Sequence, residues 1–177
     1  TANVWRKIWF QLMYLDASQA FMFGCPLLID DEYDTILTVA AAGDSPLERN
    51  CIESFKQLHE CTTFYRAIVQ ATSKIRDPPK RSDNENTLGQ VEFAIQRYPD
   101  ISELTSGDND GFLGKITKLK SLMIKLHLYV LHSCTYYILM LTCGPEELGT
   151  TMRYTSRAVE SGLTIFRFFH HYGSNPH

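Results

Sequence analysis

Chemistry at a protein site needs nucleophiles, acids, bases or soft ligands held at fixed spacing. The residues that offer these here are five cysteines, six histidines and two pairs of adjacent acids. Cys25, Cys51, Cys61, Cys134 and Cys143 are odd in number, widely separated and never paired as C-x-x-C, so they match neither a disulfide framework nor a zinc site. They read as small buried hydrophobes of a reducing compartment. His127 and His132 stand five apart, which rotates them off a shared helical face, and His170 and His171 are adjacent; neither spacing suits a metal. Asp30 with Asp31 and Glu146 with Glu147 are neighbours whose side chains diverge, as solvated acids do. The sequence holds no nucleophile elbow, Walker loop, H-E-x-x-H or dinucleotide glycine fingerprint. The expectation is a chain that is not an enzyme.

Two other features bear on ligands. Cys25-Pro26 has the form of a haem-regulatory dipeptide, in which a thiolate ligates iron, but its proline is already accounted for by a helix stop, and haem at Cys25 is not expected. The aromatics carry more. Trp5, Trp9, Phe10, Tyr14, Phe21 and Phe23 share one helical stretch, with Phe55, Phe64, Tyr136 and Tyr137 elsewhere. Such rings either fill a core or line an apolar pocket between helices, where bundles hold ligands. Trp9, Phe21, Phe55 and Tyr137 are the pocket candidates, and the ligand class is a small hydrophobic effector.

The elements that must position these residues read as helices. Trp5, Ile8, Trp9, Leu12 and Leu15 fall three or four apart, and Met13, Phe21, Met22 and Phe23 widen the stripe, as in a helix buried on several sides. Gly24 and Pro26 stop it. The run from Leu27 to Asp44 reads as a loop. Ser45-Pro46-Leu47-Glu48 then opens a helix, with Ser45 as N-cap and Pro46 at the first position, extending to about residue 76. Leu47, Cys51, Phe55, Leu58, Thr62, Tyr65 and Val69 form its seam, thickened by Ile52, Phe64 and Ile68. Residues 77 to 87, "DPPKRSDNENT", read as a flexible linker. Leu88 to Tyr98 marks a short helix, and the polar text that follows it reads as a loop.

From about Leu113 runs the strongest helix, with Leu119, Met123, Leu126, Val130, Cys134, Tyr137 and Leu141 on its first apolar row and Leu122, Leu131 and Ile138 on its second. A last helix reaches His171 and carries Met152, Ala158, Leu163, Phe166, Phe168 and Phe169. Nothing alternates with period two. The predicted fold is all-α, a bundle of about five main helices in one domain over residues 1–177.

A net charge of -3 gives no electrostatic footprint for nucleic acid, so direct contact with DNA is not expected of this segment. Leu126 to Cys143 is apolar, yet His127, His132, Ser133 and Thr135 dilute it, and a buried core helix is expected rather than a membrane span.

The opening stretch also carries a resemblance. "VWRKIWFQLMYLD", then "GCP" and "LLIDDEYD", is similar to the central regulatory, or middle homology, region of the fungal zinc-cluster transcription factors. There the pattern is a basic pair, an aromatic helix, Leu-Asp and Gly-x-Pro. It falls here on Arg6, Lys7, Trp9, Leu15, Asp16, Gly24 and Pro26. Ala17 and Cys25 stand where the family often has arginine. "AIQRYPD" and "KLHLYVLHSCTYYILML" follow in the family's order.

The resemblance implies a nuclear protein that controls transcription by RNA polymerase II. It implies that a domain of this kind restrains or licenses a separate activation segment, sometimes on binding a hydrophobic effector, and meets coactivator or corepressor proteins. The zinc cluster that contacts DNA and the activation segment would lie elsewhere, so the chain reads as a piece of a longer protein. The alternative is a ligand-free helical scaffold for homodimerisation or partner docking.

Overall fold

In the computed structural model, which describes residues 2–29, 45–73, 80–105 and 111–173, the chain is all-α. The described residues form α1 (Ala2–Phe23), α2 (Pro46–Ser73), α3 (Arg81–Arg97), the short α4 (Ile101–Thr105), α5 (Phe112–Leu141) and α6 (Leu148–Gly173). No strand occurs among the described residues. They fall into two compact units, one of Thr1–Ser73 with Asp100–Ile124 and one of Lys74–Pro99 with Lys125–His177. The boundary between the units falls within α5.

In the first unit α1 packs along α2. The face of α1 that meets the core is Phe10, Met13, Ala17 and Ala20, each at most 6% exposed. Ile52, Cys61, Phe64, Tyr65, Ile68 and Val69 of α2 are buried. The expected stripe of α1 lies on its other side: Trp5, Ile8, Leu12 and Leu15 are all at least 43% exposed. Physically, α1 is apolar nearly all round, so periodicity alone does not choose its inner face. Ala17 and Ala20 do, because small side chains let a second helix approach closely. On α2, Thr62, Tyr65 and Val69 are buried as their spacing predicts, and the side chains of Leu47, Cys51 and Phe55 lie outside the described residues. Asn50 on α2 meets the first half of α5, accepting from Lys120 Nζ at 3.1 Å and donating to Thr117 Oγ1.

α1 ends in a Schellman turn. Gly24 sits at φ +63°, the left-handed region that side chains disfavour, and the Cys25 amide donates back to Ala20 O at 3.1 Å. A Cβ at Gly24 would meet nothing within 4 Å, so strain alone penalises a side chain there. Gly24→Ala is expected to cost about 1 kcal/mol in a denaturant melt, with no change of fold.

In the second unit Leu88 of α3, Tyr136 and Leu139 of α5 and Tyr154 of α6 form a core, with Met140, Cys143 and Ala158 packed against it. Residues 81–87 are helix here, not linker: α3 begins at Arg81, where an Arg81 to Glu85 pair one turn apart and Asp83 in the first turn favour the helical state. Residues 77–79 lie outside the described residues, as do the loop 30–44 and with it Asp30 and Asp31. The polar text after Pro99 contains α4, which buries Leu104.

The second row of α5 turns inward. Leu122 and Leu131 of that row are buried and Ile138 is half-buried; Leu126 of the first row and Leu139, in neither row, are buried too, while Leu119, Met123, Tyr137 and Leu141 of the first row are exposed. Lys125 is 2% exposed, and its ammonium donates to Tyr98 O and Pro99 O at 3.2 and 2.6 Å, satisfying carbonyls at the end of α3.

Candidate functional site

The residues of the Leu-Asp and Gly-x-Pro pattern come together in the first unit. Asp16 lies two turns before the end of α1, and once the glycine turn reverses the chain, Pro26 sends it out extended past that carboxylate. The amides of Leu28 and Ile29 donate to Asp16 Oδ1 and Oδ2 at 3.0 and 3.1 Å. Arg66 of α2 closes the arrangement. Its Nη1 stands 3.9 Å from Asp16 Oδ2 and its Nη2 donates to Ile29 O at 2.9 Å. Both side chains are nearly removed from water, at 6% and 7% exposure. One carboxylate thus holds the exit backbone and a buried guanidinium together. The junction fixes where the chain goes after α1, and it offers no group to a substrate.

Lys7 of the basic pair reaches α2 instead, with Nζ 3.1 Å from Glu48 Oε1. The pair is partly exposed and contributes little, about 0.5 kcal/mol. Arg6 is half-buried.

Of the pocket candidates, Trp9 and Phe21 lie on α1 and Tyr137 on α5. Phe21 packs on Tyr65 with ring centroids 5.0 Å apart, and Tyr14 meets the same ring at 6.4 Å. Trp9 is half-buried on α1. The side chain of Phe55 lies outside the described residues. Tyr137 belongs to the second unit and is 54% exposed, its neighbour Tyr136 being the inward ring. Tyr14 and Phe21 meet on the Tyr65 ring, while Trp9, about a third of a turn round α1 from them, lies on another side of the helix.

The cysteines divide. Cys61 is buried, and desolvation pushes its thiol up to about 12, which keeps it unreactive at neutral pH. Cys25 is exposed rather than buried, because it follows the glycine turn at the end of α1. Among the described residues no three His, Cys, Asp or Glu side chains converge on a metal position.

Two polar networks in the second unit were not legible in the sequence. In the first, Arg81 donates to Glu85, Glu147 and Tyr154, at 3.1, 2.6 and 3.2 Å. Glu147 also accepts from the Gly144 amide at 3.0 Å, and that bond, with Arg81 second, holds its carboxyl below the usual range. Glu147 thereby places an anion at the start of α6, where the helix dipole favours one.

In the second network His132 of α5 bridges α3 and α6. Its Nδ1 lies 2.5 Å from Ser161 Oγ and its Nε2 3.3 Å from Glu92 Oε1, which also accepts from Tyr136 Oη at 2.9 Å. A neutral ring protonated on Nε2, with Ser161 donating to Nδ1, satisfies all three contacts. The order serine, histidine, carboxylate is that of an acyl-transfer relay. The surroundings do not permit that chemistry: Ser161 is 3% exposed and lies in the middle of α6, where the surrounding backbone amides are committed to the helix rather than free to stabilise an oxyanion. Its hydroxyl is also 3.2 Å from Arg157 O. The network is a polar tie between three helices.

Burial lowers the His132 pKa, more than the Glu92 carboxylate raises it, and Arg157 lowers it further. His127 is lowered by burial as well. The unfolded chain therefore takes up protons before the folded one does, so stability is full above the ordinary value of 6.5 and falls as pH drops through it. The urea midpoint should decline between about pH 7 and about pH 5, and His132→Gln should flatten that decline.

Comparison with protein-family models, curated proteins and solved structures gave no match. No helix among the described residues is long and apolar enough to cross a membrane.

Proposed function

We propose that this chain is a regulatory, effector-sensing module of a nuclear fungal transcription factor of the zinc-cluster type, acting without catalysis on transcription by RNA polymerase II. The observation that carries the reading is the junction at Asp16. Asp16, Gly24 and Pro26, which carry the resemblance, act together in a single turn-and-exit structure anchored by Arg66. A motif whose members cooperate in one substructure is what a family signature looks like when it encodes architecture. The effector is a small hydrophobic molecule seated where Tyr14 and Phe21 meet the Tyr65 ring, and it regulates by binding one helix packing better than another. Coactivator or corepressor proteins read the outcome, and DNA contact belongs to a zinc cluster outside this chain.

A thermal-shift screen against sterols, fatty acids, haem and other apolar metabolites tests the effector. A ligand at a hundred times its dissociation constant adds about 2.7 kcal/mol, a shift of several degrees. The shift should shrink in Tyr14→Ala and Phe21→Ala and persist in Cys25→Ala. A folded sample with no response to any class would contradict effector sensing. It would then favour a ligand-free scaffold, the second reading, which has an observation of its own in the exposed apolar face of α1.

A further inference from the structure

The described exposed positions of α1 are Val4, Trp5, Ile8, Gln11, Leu12, Leu15, Gln19, Met22 and Phe23. None carries a formal charge. Trp5, Ile8, Leu12, Leu15, Gln19 and Met22 follow one another at steps of three and four, the a and d positions of three successive heptads. The side chains buried in the first unit, Phe10, Met13, Ala17 and Ala20, occupy b and f positions on the opposite side. One helix thus carries two apolar faces, and the structure covers only one of them.

From this seam we infer that α1 pairs with α1 of a second copy of the chain, forming a homodimeric helix pair. A heptad seam sustained for the length of a helix selects another helix laid along it, knobs into holes. The flanks say which helix. Partner choice in such pairs is set by charges at e and g, which here are Trp9, Asp16 and Phe23, and Val4, Gln11 and Ser18. Asp16 is the only charge among them, and it is occupied by the Leu28 and Ile29 amides and Arg66. Nothing on the seam repels an identical copy, and nothing selects a partner of opposite charge.

The area is sufficient. At ~150–250 Å² for a large side chain, the exposed fractions of Val4, Trp5, Ile8, Leu12, Leu15, Met22 and Phe23 offer roughly 700 Å² per helix, close to the ~800 Å² each partner gives to a standard interface. α6 differs. It also exposes Leu148, Met152, Val159, Leu163, Phe166 and Phe169, but these lie among exposed Arg153, Arg157, Glu160 and Arg167, charges that the exposed positions of α1 lack, and Thr155 and Ser156 interrupt the row between Met152 and Val159.

The inference rests on α1 alone, so its failure leaves the effector reading untouched. Sedimentation equilibrium of the full chain, in reducing agent to keep exposed Cys25 from cross-linking, should show a monomer that converts to a dimer as concentration rises. Leu12→Glu with Leu15→Glu should weaken that dimer by on the order of a thousandfold while helical circular dichroism is unchanged, since both residues are exposed in the monomer. Met152→Glu on α6 should leave it intact. A monomer at every concentration, with the seam left to a helix of another sequence, overturns the inference. So does a dimer that survives the α1 double variant or dissolves in Met152→Glu.

Discussion

Asp16→Ala is expected to destabilise the chain by about 3–5 kcal/mol, the cost of removing one partner of a buried ion pair and leaving the other charged. Two effects add here. Arg66 is 6% exposed at its side chain, and the substitution removes the carboxylate that stands 3.9 Å from its Nη1. The Leu28 and Ile29 amides also lose their acceptor. The exit after Pro26 should detach with them, so amide hydrogen exchange at Leu28 and Ile29 should rise sharply while exchange in the core of α2 rises only with global stability. Pairing Asp16→Ala with Arg66→Met separates charge from shape. The double variant should be more stable than Asp16→Ala alone, because the buried guanidinium leaves together with the carboxylate that faced it. If Asp16→Ala lies within about 0.5 kcal/mol of the parent, as surface substitutions do, the junction does not hold the exit.

Leu139→Ala should lower stability by about 2–5 kcal/mol. Leu139 is fully buried among Leu88, Tyr136 and Tyr154, and its removal opens a cavity where α3, α5 and α6 meet. Tyr137→Ala is the informative control. Its ring is 54% exposed, and truncation should cost about 1 kcal/mol or less. Urea midpoints of the two variants decide which side of α5 faces the core between residues 136 and 139. A larger loss at Tyr137 would place that ring in the interior.

How much of this the sequence discloses depends on how each segment divides apolar from polar. α2 is legible because its polar side chains mark its outer face: Thr62, Tyr65 and Val69 are buried where their spacing puts them. Gly24 and Pro26 are legible because few residues tolerate their backbone roles. α1 and α5 are apolar on most sides, so their periodicity permits more than one inner face. Ala17 and Ala20 decide it for α1, and smallness is a weaker signal than hydrophobicity. On α5 the neighbours at positions 136 and 137 are both tyrosines, and composition does not distinguish them. The α3 start was hidden by its polarity, since turn-forming residues also suit a first helical turn when a distant partner such as Glu147 or Tyr154 is waiting.

The candidate site was legible in its motif and not in its chemistry. Asp16 stood out through the resemblance. Arg66 offered a physical signal of its own, a lone arginine inside an apolar seam, which in a folded protein requires a buried carboxylate. The tie through Glu92, His132 and Ser161 gave no such signal. Its members come from three helices and share no spacing, and only the packing of α3, α5 and α6 assembles them.

A regulatory role would show in transcriptional output. In the protein that carries this chain, residues 1–177 would be deleted, with reporter expression and occupancy of the DNA target measured side by side. Output is expected to change markedly while occupancy is retained, and Asp16→Ala, by unfastening the exit after α1, is expected to shift output in the same direction. Unchanged output with this region removed would contradict a regulatory role, and loss of DNA occupancy would move the region's part from regulation to binding.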